Sequence, residues 1–169
     1  MTAESENIII RPWTEQDSEC LYGLLKEIKS LSAAQWEMPS GAEDCRRIIK
    51  ILAECGGFYA VIPKPADRPI GIITVMSAGN STLTLNHDEA EIGYAVADKF
   101  CGIGYATGAL LLISERLFKS RAFKKLYCVC KAENKASRHI LEKCGFALSE
   151  EAVSRVKSKN MLVYSRALR

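Results

Sequence analysis

Residues 90–107 run Ala-Glu-Ile-Gly-Tyr-Ala-Val-Ala-Asp-Lys-Phe-Cys-Gly-Ile-Gly-Tyr-Ala-Thr, and within them the apolar periodicity changes. Glu91, Gly93 and Ala95 alternate with Ile92, Tyr94 and Val96, the period-2 pattern of a strand. From Tyr105 onward, Leu110, Leu111, Ile113, Leu117 and Phe118 have the spacing of a helix packed on a sheet. Gly102 and Gly104 stand at the changeover, where glycine admits positive φ and lets a ligand approach the main chain. A strand fed straight into a helix leaves the first helical amides without intrahelical partners and with the positive end of the helix dipole behind them. Such an end can collect a phosphate or pyrophosphate. A plain strand-to-helix turn uses the same two glycines, so other residues must decide between the two readings. Two familiar phosphate loops do not fit. Tyr105-Ala106 follows Gly104 where a Walker loop has Lys and Ser/Thr. Thr107 takes the third small position of the dinucleotide fingerprint, and no acid marks the ribose position near Lys124 and Lys125.

The 169 residues suffice for one core that buries roughly two-thirds of the unfolded surface. With no repeat, low-complexity tract or linker, residues 1–169 are expected to form a single domain of mixed α/β type. A net charge of +3 is too mild for a dedicated nucleic-acid binder. No apolar run approaches the ~20 residues of a membrane span, and the polar, acidic start is unlike a signal peptide. The seven cysteines are scattered without a Cys-x-x-Cys pair. That usage points to free thiols in a reducing cytoplasm and to no metal site.

Taken in order, residues 8–13 form a strand stopped by Pro12, and Thr14 offers an N-cap with Glu15 and Asp17 in the following turn. Leu21, Leu24, Leu25 and Ile28 give that helix an apolar face. Residues 30–41, with Trp36 and Met38, form a loop suited to substrate contact. A second helix spans 42–55, burying Ile48, Ile49 and Leu52 and closing at Gly56-Gly57. Residues 58–62 and 70–76 make a hairpin, and 79–86 a polar loop. After the central helix comes a strand at 125–130, so 89–130 is a parallel crossover unit. A short helix from Asn134 ends at Gly145, and strands at 152–156 and 161–164 form a terminal hairpin.

The order β-α-α-β-β-β-α-β-α-β-β resembles the GNAT superfamily of acetyl-CoA-dependent N-acetyltransferases. Three stretches carry the resemblance: Glu91-Ile92-Gly93-Tyr94; Gly102-Ile103-Gly104-Tyr105-Ala106-Thr107; and Glu133-Asn134-Lys135-Ala136-Ser137 with Leu141-Glu142-Lys143-Cys144-Gly145-Phe146. The last two are similar to the branch of ribosomal-protein N-terminal acetyltransferases. The resemblance is strongest over 89–146 and weak before residue 58. It implies a central mixed sheet of about seven strands, splayed at its central parallel pair, with about four flanking helices. It implies that the amides around Cys101, Gly102, Ile103, Gly104, Tyr105, Ala106 and Thr107 hold the CoA pyrophosphate. Cys101 departs from the Gln or Arg usual there. The backbone of Tyr94, Ala95 and Val96 would run beside pantetheine, Asn134 would bond the pantetheine arm, and Ser137 would protonate the departing thiolate.

Direct acyl transfer from acetyl-CoA to an amine needs a base, oxyanion donors and an acid for sulfur. Glu91 is the candidate base, with a structural carboxylate as the competing reading and Glu89 as the second candidate. Ser137 competes with a role as a helix cap. Cys101 as a covalent carrier is disfavoured because direct transfer needs none. His87 and His139 are expected at the surface. Lys99, Lys135 and Arg138 could meet the ribose phosphate or simply be solvated, and Trp36 and Tyr22 could line an acceptor pocket or the core. The acceptor is a peptide N-terminus or a small amine, and the assembly a monomer or homodimer. A non-catalytic CoA-binding domain and a different phosphate-binding α/β domain are the alternatives.

Overall fold

A computed structural model describes residues 1–28, 38–55, 57–64, 66, 68–150 and 160–168. Eight strands follow the order β1-β2-β3-β4-β5-β6-β8-β7 in one mostly antiparallel sheet, with four α-helices among the described residues. The chain divides into two compact units, Met1–Thr74 with Tyr94–Leu112, and Val75–Gly93 with Ile113–Arg169.

In the first unit, β1 (Ala3–Glu4), β2 (Ile8–Pro12), β3 (Phe58–Pro63) and β4 (Gly71–Met76) are successive antiparallel neighbours. A 3-10 turn (Glu15–Asp17) leads into α1 (Ser18–Glu27), and α2 spans Ala42–Cys55. The turn is tied back to β2 by Asp17. Its carboxylate accepts two bonds from Arg11, at 2.7 and 2.8 Å, together with the N–H and hydroxyl of Thr14. Apolar residues at helical spacing then meet the sheet: Leu21, Leu24, Leu25, Cys45 and Ile49 pack with Trp13, Phe58, Ala60, Ile72, Ala95 and Ala97. The Trp13 and Phe58 rings stack at 5.8 Å. In α2, Ile49 is buried as expected, whereas Ile48 and Leu52 are only partly so.

In the second unit, β6 (Lys125–Lys131) pairs along its whole length with antiparallel β8 (Met161–Ala167), and β7 (Ala147–Leu148) lies on the far side of β8. Leu83, Tyr127 and Val163 form a small core with Leu85 and Val129 against it. α4 (Lys135–Lys143) buries Leu141, and Gly145 follows at φ +78°. α3 (Tyr105–Lys119) begins in the first unit and ends in the second.

β5 (Glu89–Val96) is eight residues long, but its parallel ladder with β6 holds only Glu89, Ala90 and Glu91 against Lys125, Leu126 and Tyr127. Within the second unit the parallel ladder thus ends at Glu91. Six of the seven expected strands are present; the seventh, at 152–156, falls outside the described residues. The sheet gains β1 and β7, each too short to carry a period-2 signal. Trp36 and Gly56 also fall outside the described residues.

Candidate functional site

The first unit holds the glycine loop. β5 ends at Val96, a 3-10 turn covers Asp98–Phe100, and α3 starts at Tyr105. Gly102 and Gly104 have φ of +80° and +100°, in the region that L side chains avoid. This turns consecutive amides outward. The first bond of the helix runs from the Gly108 N–H to the Gly104 carbonyl at 2.9 Å. Among the described residues the amides from Gly102 to Ala106 donate to no main-chain carbonyl, and residues 101–104 are exposed. Five open donors at the positive end of a 15-residue helix form a cradle for an anion. Ile103, 61% exposed, stands between the glycines. The Cys101 thiol faces the Ala97 carbonyl at 3.9 Å, and the Tyr105 ring lies edge-on to Phe100. Lys99 is paired with Glu27 at 2.7 Å at the surface.

Tyr94, Ala95 and Val96 lead into this loop on the part of β5 that carries no β6 ladder. Their position depends on Gly71 in β4. A Cβ there would lie 2.6 Å from the Ala95 carbonyl and 3.0 Å from Val96 Cγ2, so only glycine lets the two strands come this close. The Ala97 N–H then donates to the Ile70 carbonyl at 2.9 Å and fixes the strand end. Sequence reasoning missed Gly71, because a lone glycine in a strand does not say what approaches it.

The second unit holds the carboxylates. Glu91 is 5% exposed. Its Oε2 accepts from the Ser81 hydroxyl at 2.6 Å, the Thr82 N–H at 2.9 Å and the Thr82 hydroxyl at 2.9 Å. Glu89 is also buried and accepts the Tyr127 hydroxyl at 3.0 Å and the Asn86 N–H at 2.8 Å. Burial, with the bond to Glu89 behind it, raises the Tyr127 phenol above its ordinary range. The two acids thus fasten both ends of the loop before β5. Ser81 and Thr82 carried no sequence signal, since nothing in a polar loop marks a partner ten residues ahead.

The same unit places Asn134 and Ser137 at the start of α4. Asn134 Oδ1 accepts the Ser137 N–H at 3.0 Å, so the asparagine is the N-cap. The Ser137 hydroxyl is turned to the buried Cys130 thiol, whose pKa burial nonetheless raises. Arg138 donates from Nε to the Tyr164 hydroxyl at 3.3 Å, and that hydroxyl donates to Glu142 at 3.2 Å. His87, His139 and Lys135 are exposed. In the first unit, the Tyr22 hydroxyl donates to the Ser40 carbonyl, and Lys26 lies 3.7 Å over its ring. Among the described residues no group of three His, Cys, Asp or Glu side chains could hold a metal ion, and no helix is long and apolar enough to cross a membrane.

Comparison with known proteins gives the family and the fold. Residues 7–147 match the family model described as an acetyltransferase (GNAT) domain. A GNAT-family acetyltransferase from Bacillus anthracis superposes with a TM-score of 0.77 at 20% identity, covering 99% of this chain and 98% of that one. Ribosomal-protein-S5-alanine acetyltransferase from Vibrio fischeri gives 0.78 at 15% identity, covering 99% and 96%. The microcin C7 self-immunity acetyltransferase MccE, solved with acetyl-CoA and AMP, gives 0.75 at 21% identity, covering 97% and 94%. With the family model spanning most of its length, the chain belongs to the GNAT acetyltransferases.

Proposed function

We propose that this protein transfers acetyl from acetyl-CoA directly to a primary amine, either a protein N-terminus or a small-molecule amine. The observation that carries the reading is the run of open amides from Gly102 to Ala106 at the start of α3. It suits the pyrophosphate of CoA, with Cys101 and Thr107 flanking it. MccE, of similar fold, was solved with acetyl-CoA. The ribosomal-protein acetyltransferase among the relatives favours a peptide α-amine.

In the proposed reaction the neutral amine attacks the thioester carbon, and a backbone amide of the Tyr94–Val96 segment takes the developing oxyanion. The C–S bond then breaks, and the thiolate takes a proton from the Ser137 hydroxyl, which recovers one from solvent water in the same step. Asn134 keeps its side-chain NH2 for the pantetheine arm while its oxygen caps α4. Glu91 would receive the ammonium proton. Its carboxylate is enclosed by Ser81 and Thr82, so the proton would reach it through one of those hydroxyls. A second reading, CoA binding without turnover, draws on Cys101 in place of the family's Gln or Arg.

Thermal stability with and without acetyl-CoA tests the reading. Ligand at 100 times its dissociation constant stabilises by about 2.7 kcal/mol. The gain should vanish in Gly104→Val. A Cβ at Gly104 meets no protein atom within 4 Å, so the loss would come from the positive φ or from the added side chain meeting the ligand, not from a clash within the protein. Circular dichroism must show the variant folded. Release of CoA across an amine panel separates transferase from silent binder. A shift with ATP but none with acetyl-CoA would sink both readings.

A further inference from the structure

A second cleft lies wholly in the second unit, with a volume of about 620 Å³. Its walls come from the end of α3 (Phe118), the start of β6 (Lys125), the turn after α4 (Gly145) and the last residues of β8 (Ser165, Arg166). None of these belongs to the residues given to acetyl transfer. Within this unit, Cys130 and its partner Ser137 lie towards the other end of β6, roughly 16 Å along the strand from Lys125.

The chemistry of the walls is one-sided. Among the described residues, the lining includes two cationic side chains and no carboxylate. Arg166 is the centre of it. The guanidinium lies 5.6 Å over the Phe118 ring, and no side chain grows from Gly145 beside it: a Cβ there would sit 3.7 Å from Arg166 Nε. Its Nη1 is shielded from solvent and, among the described residues, has no hydrogen-bond partner. An arginine stays charged at every physiological pH and offers five donors in a planar fork. A shielded, unpaired guanidinium nitrogen is an expensive thing for a fold to keep. A bound oxyanion supplies what is missing, because a carboxylate or phosphate accepts two parallel bonds from the fork. Rotation of the guanidinium about its own side-chain bonds would bring that edge into the cleft. Lys125 would add charge, Ser165 a hydroxyl, and Phe118, Ala147 and Leu168 an apolar wall.

We propose that this cleft is a binding site for a small oxyanion carrying an apolar body, held by Arg166 against Phe118 with support from Lys125. The described residues that line it all belong to the second unit, and it takes either a carboxylate or a phosphate ester.

Isothermal titration with butyrate, phenyl phosphate and inorganic phosphate distinguishes the sources, with butyramide as the neutral control. Saturable binding of butyrate or phenyl phosphate is expected, with none of butyramide. Arg166→Gln should weaken it at least tenfold and Lys125→Gln by a smaller factor, while Gly104→Val leaves it unchanged. Lys125 is partly exposed, so its variant serves if Arg166→Gln does not fold; retained stabilisation by acetyl-CoA shows that either one has. Binding of inorganic phosphate alone would restrict the site to free phosphate and overturn the apolar part of the proposal. Absence of saturable binding by all three anions, equal affinity in the Arg166 and Lys125 variants, or loss of binding in Gly104→Val would overturn the site itself.

Discussion

Asp17 shows how one residue can join sequence-distant structure. Its carboxylate is pulled down to about 2, first by the bidentate Arg11 bond and then by the Thr14 donors, against the opposing effect of burial. An unfolded aspartate titrates near 3.9. A carboxyl whose folded pKa is the lower of the two adds stability that is fully present above about pH 4 and is lost as pH falls towards 2. Asp17→Asn should therefore be less stable than the parent at pH 6, and the gap should narrow below pH 4 and close only as pH falls through 2. Urea midpoints across that range check this, and a constant gap between the two proteins would show that the Arg11 pair is not the cause. The sequence offered Thr14 as a cap and Asp17 only as a favourable charge in the first turn. The partnership with Arg11, across a proline and six positions, had no local pattern to announce it. Glu91 repeats the point: its alternation in β5 was legible, but its enclosure by Ser81 and Thr82 was not.

Elements with strong periodicity were legible almost to the residue. The helix expected over 42–55 is α2 (Ala42–Cys55), the strand from Glu89 ends at Val96, and α3 begins at Tyr105. Each is bounded by a glycine, a polar turn or a change of period, which are physical stops rather than preferences. The short edge strands β1 and β7 escaped because pairing, not composition, makes two residues a strand. The close approach between β4 and β5 escaped for a related reason, being a property of two elements at once. Gly71→Ala puts a methyl 2.6 Å from the Ala95 carbonyl, a main-chain atom that cannot swing aside. Overpacking of this kind costs about 1–3 kcal/mol. Because the displaced strand end leads into the glycine loop, acetyl-CoA affinity should fall as well. Chemical denaturation and titration of acetyl-CoA on Gly71→Ala read the two effects. Unchanged stability would mean that β5 moves freely, contrary to its anchoring through Ala97 and Ile70.

Across the whole molecule the thiols report on both packing and ligand. Cys45, Cys128, Cys130 and Cys144 are buried, Cys20 is half-buried, and Cys101 is exposed beside Gly102. Burial raises the buried thiols: Cys144 to about 11, Cys128 well above its ordinary value, and Cys45 and Cys130 in the same direction. Since the thiolate is the nucleophile, these four should resist alkylation at pH 7.5 until the chain opens, whereas Cys101 needs no opening. Among these six thiols, peptide-mapped labelling with a maleimide should find Cys101 modified first. Labelling of Cys45, Cys128, Cys130 and Cys144 should then follow as urea populates the open chain. If the amides beside Cys101 hold the CoA pyrophosphate, saturating acetyl-CoA slows Cys101 directly and slows the buried four only through added stability. Cys101 labelled at the same rate with and without acetyl-CoA, while the melting temperature rises, would place the ligand away from the glycine loop. Equal rates for Cys101 and the buried four without urea would instead mean that these interior thiols reach solvent without global opening.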